Sequence, residues 1–332
     1  MDRPKLSADV LAIDCDAETA RVEAFIVQTL RAFNKRGVVL GLSGGVDSSV
    51  CAALAVRALG PQKVFGLLMP ERDSSGSSTR LGAEVAQQLG IPHAVEDIAP
   101  ALEAIGCYRW RDEAVRAVLP DYTPQWRIKL AISGGLAGGI NHFRLIAQSP
   151  DGQMHDVRLP LREYLQIVAA TNHKQRLRKT LEYFHADRLN YAVIGTPNRL
   201  EYDQGFFVKN GDGSADLKPI AHLYKSQVYA LARHLGLPEA VCNAAPTTDT
   251  YSLPQGQDEF YFALPWAQMD LALWARNHGY SAEELAAALG CTAQQAAAVL
   301  ADIDAKRRTT RYLHARPALV ETVLNPCAEN AA

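Results

Sequence analysis

The sequence has only six cysteines in 332 residues, Cys15, Cys51, Cys107, Cys242, Cys291 and Cys327, and they are scattered. No two form C-x-x-C, and none joins a histidine at metal-ligand spacing. That excludes a structural zinc site and a paired sulfur-transfer centre, and leaves free, reduced thiols as the expectation. Charge of either sign is not in excess: the formal net charge of −2 offers no general attraction to nucleic acid or to an anionic membrane. No apolar run approaches the roughly 20 residues that cross a bilayer. The opening MDRPKLSADV lacks the apolar core of a secretory signal. The expected setting is the cytoplasm, with neither membrane nor nucleic acid as a partner. Internal repeats, low-complexity tracts and a dividing linker are also missing, so residues 1–332 read as a single domain with an ordinary globular composition.

What is present alternates. Residues 17–34 carry Val22, Phe25, Ile26, Leu30 and Phe33 at helical spacing. VVLGLS (38–43) reads as a strand buried on both faces. A helix follows from about Asp47 to Leu59, closed by Gly60. VFGLLMP (64–70), a helix over 77–89 and HAVEDI (93–98) complete βαβαβ. Right-handed crossovers then give a doubly wound α/β fold, a parallel sheet with helices on both faces. YAVIGT (191–196) is a fourth buried strand, and residues 222–235 form a further helix with Tyr224, Val228, Leu231, Ala232 and Leu235 on one face.

Residues 104–160 break the rhythm. HFRLIAQ and MHDVRLPL, around Pro150-Asp151-Gly152, predict an inserted β-hairpin. Phe143, Leu145 and Ala147 alternate with Arg144, Ile146 and Gln148 and leave no clean apolar face, as expected if both sides touch protein. A long helix over 161–186 follows, and the segment 264–315 is helical.

Residues 43–49, SGGVDSS, lie between a buried strand and the first turn of a helix. Gly44 and Gly45 let the backbone approach an anion, and unpaired N–H groups at the helix start point toward it. Ser43, Ser48 and Ser49 add hydroxyls. Asp47 is out of place beside phosphate unless a divalent cation lies between them, which implies Mg²⁺. A bare S-G-G also reads as a tight strand-to-helix turn, and SGGLAGG at 133–139, without a trailing Asp-Ser-Ser, is read that way. The loop is not G-x-x-x-x-G-K-[ST].

Together with LMPERDSS (68–75), the N-x-x-x-R-x-R of Asn172, Arg176 and Arg178, and GTPNRLE (195–201), the loop resembles the NAD synthetase family within the ATP pyrophosphatase superfamily. GFFVKNGDGSADLKPI (205–220), LYKSQV (223–228), PTTD (246–249) and KRR (306–308) extend the resemblance from about 38 to 308. It implies an adenine nucleotide α-hydrolase-like fold and a two-step reaction. The carboxylate of nicotinic acid adenine dinucleotide attacks the α-phosphorus of ATP and releases pyrophosphate; ammonia then displaces AMP and leaves NAD.

The resemblance also assigns residues. Asp47 and Glu201 hold Mg²⁺, Lys225 meets the ATP phosphates, and Thr196 and Thr247 help Ser43, Gly44, Gly45, Ser48 and Ser49 seat ATP. Lys209, Asp212 and Asp216 lie on a glycine-rich lid, with Asp216 facing the dinucleotide. Asn172 and Arg176 meet the acceptor, Phe206 stacks on its pyridine ring, and Lys306 belongs to the acceptor side. Asp47, Lys209 and Lys225 form the catalytic set. Plainer readings stand beside these. Glu201 and Thr247 suit helix or turn caps, Lys225 a solvated helix start, Asn172 and Arg176 a surface pair, and Phe206 the core.

A homodimer is implied, with the dinucleotide near the interface. Tyr164, Leu165, Val168, Leu181 and Phe184 would supply an extra buried face, although an intrachain core would use the same residues. With no room for a glutaminase ahead of Val38, the nitrogen comes as free ammonia or from a separate glutaminase subunit. Three departures fall on the acceptor side: Ala305 where the family often has His, Gly256-Gln257-Asp258-Glu259 one residue short, and the long stretch 104–160. They leave open a related ligase that amidates another carboxylate. A different class of reading takes 281–308 as a DNA-binding helix-turn-helix, but its second helix is basic only from Lys306 onward, and a packed helical hairpin explains it as well.

Overall fold

Two β-branched and leucine runs set the centre of the protein. A computed structural model describes residues 3–133, 142–246, 250–256, 261–262, 264–321 and 323, with backbone alone at 132, 133 and 142. Thr247, residues 257–259, the glycine stretch 134–139 and Cys327 therefore lie outside the described residues. Strand β1 (Val38–Gly41) pairs in parallel with β2 (Val64–Leu68), Val38 opposite Val64. Strand β3 (His93–Val95) flanks β2, and β7 (Ala192–Val193) flanks β1, giving the order β3-β2-β1-β7. Neighbours of β1 thus come from opposite directions in the chain. A crevice opens at its C-terminal end, the place where open α/β sheets bind ligands.

Helices cover both faces, as the doubly wound reading requires. Val38 and Leu40 point to a core shared with α1 (Cys15–Ala32), α2 (Val46–Leu59), α3 (Gly76–Gln88) and α8 (Lys225–His234). Val39 and Leu67 point to the other, built with α4 (Ala99–Ile105), α5 (Cys107–Val118) and α6 (Leu161–Leu189). The described cysteines are free. The ladder of β7 is shorter than the run 191–196, but extended chain continues past it: Ile194 N–H donates to Val39 O and Gly195 N–H to Leu217 O. Helix α8 starts three residues later than the expected 222 because Lys225 and Ser226 N–H are capped by the Asp270 carboxylate, at 3.1 and 2.6 Å.

The C-terminal part comprises α7 (Arg199–Gln204), α9 (Glu239–Cys242), α10 (Trp266–Asn277), α11 (Ala282–Leu289) and α12 (Ala293–Thr310). Leu285, Ala296, Val299 and Ile303 pack into one core with Met269 and Leu273 of α10. In this hairpin Lys306 turns to Asp302 and Arg307 to Asp203, so two of its three basic side chains are paired within the chain. No single helix among the described residues is long and apolar enough to cross a membrane; α11 and α12 reach that length only together, across a bend of 110°.

The stretch 104–160 departs from expectation. Besides α5 it holds a three-stranded antiparallel sheet in which β5 (His142–Gln148) lies between β4 (Arg127–Ser133) and β6 (Met154–Arg158), not a lone hairpin. Nor is the hairpin apolar on neither side. Leu145 and Ala147 are wholly buried against Val115 of α5 and Ile167 of α6, while Arg144 on the opposite side pairs with Asp156. Small Ala147 on the inner side and apolar Ile146 on the outer obscured an ordinary one-sided strand. Leu145→Ala should cost about 2–5 kcal/mol of folding free energy in urea titration, the usual result of emptying a closed core site. A loss below about 1 kcal/mol would mean that this sheet is not part of the cooperative core.

Candidate active site

Directly after β1 the chain must turn sharply, and Gly44 permits it. Its φ is +78°, and an added Cβ would stand 2.4 Å from the Ser78 carbonyl oxygen. Gly45 then caps α2 with backbone alone, so no side chain competes for the first-turn N–H groups. Ser43 Oγ accepts from Gly45 N–H at 3.3 Å and lies 3.2 Å from Ser48 Oγ. Ser49 is sealed beneath the loop and donates its hydroxyl to Gly45 O at 2.9 Å. It supports the turn rather than lining the crevice.

Four side chains from three helices meet at this helix start. Asp47, in the first turn of α2, pairs with Lys225 of α8 through one oxygen and accepts from Asn198 Nδ2 at 3.0 Å through the other. Asn198 also caps α7: its Oδ1 accepts from Glu201 N–H at 3.2 Å, and Glu201 Oε2 accepts from Asn198 N–H at 3.1 Å. One residue therefore sets both carboxylates, Asp47 through its side-chain amide and Glu201 through its backbone N–H. The Lys225 side chain is 2% exposed. Burial by itself pulls its ammonium down, but the Asp47 and Glu201 charges overcome that and hold it above the ordinary lysine value. The same burial, with Asp47 and Glu201 adding to it, pushes the nearby Cys51 thiol well up and leaves it inert.

These groups open into a cavity of about 1320 Å³. Thr196, Phe206, Asp212 and Asn172 line it with the phosphate-type loop. Phe206 stacks on Tyr261 at 4.7 Å between ring centroids. Asp212 accepts from Val208 N–H at 2.8 Å and so closes the glycine-rich loop on itself. Four other candidates point elsewhere. Lys209 donates to the carbonyls of Tyr312 and Ala315, at 2.7 and 3.1 Å, and Arg176 donates to the Lys209 carbonyl at 3.2 Å. Asp216 accepts from Val193 N–H at 2.7 Å and from the Tyr183 hydroxyl at 3.2 Å. Lys306 donates to Tyr261 O and to Asp302, each at 2.6 Å.

Sequence reasoning passed over several contributors. Asn198 stood in a quoted block, yet its double contact needs α2 and α7 side by side. Behind the cavity, Lys174 joins Glu71 at 2.9 Å and Asp73 at 2.6 Å, and Arg111 of α5 bridges Asp73 to Asp112. Against the burial that would raise it, Lys174 and then Arg111 hold Asp73 below the usual carboxylate range. Of these charges, Glu71 and Asp73 sit in a quoted block, whereas Lys174, Arg111 and Asp112 carried no such signal. Arg127 of β4 also reaches the wall, with Nε donating to Ser252 O at 2.9 Å.

A parallel sheet with an anion-accepting helix start at its switch point, and two carboxylates and a lysine beside it, defines a nucleotide-handling α/β enzyme. A family model described as NAD synthase matches residues 18–134 and 151–311. The chain belongs to that family. It is 58% identical over 323 residues to the NH(3)-dependent NAD(+) synthetase of Rhizobium meliloti, an alignment covering 97% of each chain. In fold it is similar to the NH3-dependent NAD synthetase of Campylobacter jejuni (TM-score 0.62, 22% identity, 93% of this chain and 100% of that one). It is similar too to the NMN synthetase of Francisella tularensis (TM-score 0.65, 22% identity, 94% and 100%).

Asp270 of α10 holds Lys225 from behind. It is wholly buried, and burial pushes its carboxyl up to about 6, although the N–H groups of Ser226 and Lys225 pull the other way. A carboxyl whose folded pKa exceeds its unfolded value, ~3.9, takes up a proton on folding, so its contribution to stability falls as pH rises from about 4 to 6. Relative to Asp270→Asn, the wild type should therefore lose stability across that window, as read from urea midpoints at several pH values. Parallel pH profiles for the two proteins would overturn the assignment.

Proposed function

We propose that the protein is an ATP-dependent, ammonia-using ligase that amidates nicotinic acid adenine dinucleotide to NAD, releasing AMP and pyrophosphate. The observation that carries this reading is the convergence of Asp47, Lys225, Asn198 and Glu201 on the open first turn of α2. Family membership and the 97% mutual coverage with a curated NH(3)-dependent NAD(+) synthetase support the same activity.

The reaction asks for charge neutralisation and positioning more than for covalent chemistry. Ser43, Gly44, Gly45 and Ser48 seat the ATP phosphates against the α2 N–H groups, with Ser49 bracing the loop. Lys225, kept protonated by its partners, shifts from Asp47 toward the phosphate oxygens as negative charge builds on them. Thr196 and, from its sequence block, Thr247 complete the ATP side. The acceptor carboxylate attacks the α-phosphorus, the bond to pyrophosphate breaks, and the acyl adenylate forms. Ammonia then adds at the acyl carbon, AMP leaves, and the amide remains after loss of a proton. Asn172 and Phe206 face the acceptor from the cavity wall. Arg176, Lys209, Asp212, Asp216 and Lys306 act through the loop 206–216 and its contacts with the C-terminal helices, so Lys209 must leave the Tyr312 and Ala315 carbonyls to reach substrate.

Asp47 and Glu201 fit Mg²⁺. Both face one cavity beside an anion site, and this ion is commonly held by one or two carboxylates, with phosphate oxygens and water filling the octahedron. When bound it would offset phosphate charge. Free ammonia is the nitrogen source, in line with the name of the relative, and no glutaminase subunit is needed. The enzyme works in the cytoplasm.

Replacing Asp47 by Asn or Glu201 by Gln keeps the side-chain shape but removes a charge opposite the developing transition state. Each change should lower turnover roughly a hundredfold or more, with AMP and pyrophosphate as the products of what remains. ADP and orthophosphate instead would overturn the reading.

A homodimer is the proposed assembly. Of the apolar residues of α6, Tyr164 and Val168 line the cavity and Leu181 packs inward, while Leu161, Leu165 and Phe184 are more than half exposed. Leu161 and Leu165, one turn apart on α6, make an outward apolar patch suited to a second copy, while Phe184 lies about 28 Å farther along the helix. Light scattering at micromolar concentration should give twice the chain mass. A fully active monomer would refute the assembly.

A further inference from the structure

Two strands of the insert reach the substrate cavity, β4 through Arg127 and β5 through Phe143. Strand β5 lies within residues 135–150, which the family model passes over, matching on either side of them. Its Phe143 stacks on Tyr164 of α6, with ring centroids 3.5 Å apart and planes 11° from parallel, and both rings line the cavity that holds the phosphate-type loop.

Position along α6 shows which end of the cavity they occupy. This helix ends where β7 begins, and β7 runs parallel to β1, so α6 runs against the strands. Tyr164, Val168, Asn172, Gln175, Arg178 and Glu182 recur every three or four residues and all line the cavity. They form one continuous stripe. Glu182 marks its sheet end, because a Cβ on Gly41 would come 3.1 Å from its Oε1. Tyr164 is eighteen residues earlier, about 27 Å farther along the helix at 1.5 Å per residue, well beyond the strand ends.

The reacting carboxylate must meet the α-phosphorus beside the phosphate loop. An acceptor that is a dinucleotide therefore extends away from that loop, and its second base lies toward the far end of the stripe. ATP is a poor candidate for that end: Leu67, Leu68 and Met69 at the end of β2 line the cavity next to the phosphate loop, within reach of its nucleoside. Every family member has to hold ATP, moreover, and β5 falls outside what the family model describes. A parallel pair of rings offers a purine a surface on which to extend the stack.

We propose that Phe143 and Tyr164 form a stacking platform for the purine of the dinucleotide acceptor, so that the inserted sheet helps to select a dinucleotide over a mononucleotide. This rests on the proposed amidation of nicotinic acid adenine dinucleotide and adds to it the subsite that reads the far half of the substrate.

The test is steady-state kinetics of the full-length enzyme with ATP, Mg²⁺ and ammonium. The acceptors are nicotinic acid adenine dinucleotide and nicotinic acid mononucleotide, the latter as an inhibitor where it is not turned over. Loss of one base–aromatic stack should raise the dinucleotide KM of Phe143→Leu by about tenfold. The ATP KM and the mononucleotide constant should stay at wild-type values, and Phe143→Tyr should restore the dinucleotide KM. If Phe143→Leu does not fold, Tyr164→Leu carries the same test from the helix side. An unchanged dinucleotide KM, an equal loss for both acceptors, or a raised ATP KM each overturns the platform. These outcomes are read against a wild type that produces AMP with the dinucleotide. A wild type that does not would overturn the proposed function as well.

Discussion

The ammonium of Lys225 is buried, and a buried charge must be answered by another or it will not stay charged. Asp47 supplies that answer, and much of the architecture is arranged so that it can. The two residues start different helices, α2 and α8, which lie on the same face of the sheet. Their N-termini meet only because β1 and β7 are neighbours although 150 residues separate them. Asn198 ties Asp47 to the cap of α7, and Asp270 ties the start of α8 to α10. The C-terminal helices are thus coupled to the phosphate-type loop through hydrogen bonds to the carboxylates of Asp47 and the buried Asp270.

This pairing also sets the resting electrostatics of the site. With Lys225 satisfied by Asp47, the protein keeps a cation inside without exposing it to water. Pairing the two charges offsets the desolvation cost of burying the ammonium. The cluster of Lys174, Arg111, Asp73 and Glu71 uses the same principle behind the cavity, and it joins α5 and α6 to the loop after β2.

Helix α6 is the second organising element. One side supports the sheet through Ala170 and Ala186, another receives the extra sheet through Ile167, and a third forms a wall of the cavity. A helix used on so many sides has no single apolar stripe. Its content of Tyr, Leu, Val and Phe therefore told little about which residue faced where.

Much was legible in the chain itself. Continuous β-branched runs give strands buried on both faces, glycines end helices, and a Gly-Gly turn ahead of Asp-Ser-Ser marks an anion-accepting helix start; all of this is local chemistry, and local chemistry is written in consecutive residues. Strand ends, the late start of α8 and the third strand of the insert were not legible, because each is set by a hydrogen-bonding partner far away in sequence. The same reason divides the site. Ser43, Gly44, Gly45, Asp47 and Ser48 line the cavity from one segment and could be read together. That Asn198 holds two carboxylates, that Asp270 stands behind Lys225, that Lys209 rests on the carbonyls of Tyr312 and Ala315, and that Phe143 of an inserted strand joins Tyr164 in the cavity wall were decided by tertiary structure alone. Direction and contact between distant segments are properties of packing, and no pattern of neighbours along the chain encodes them one residue at a time.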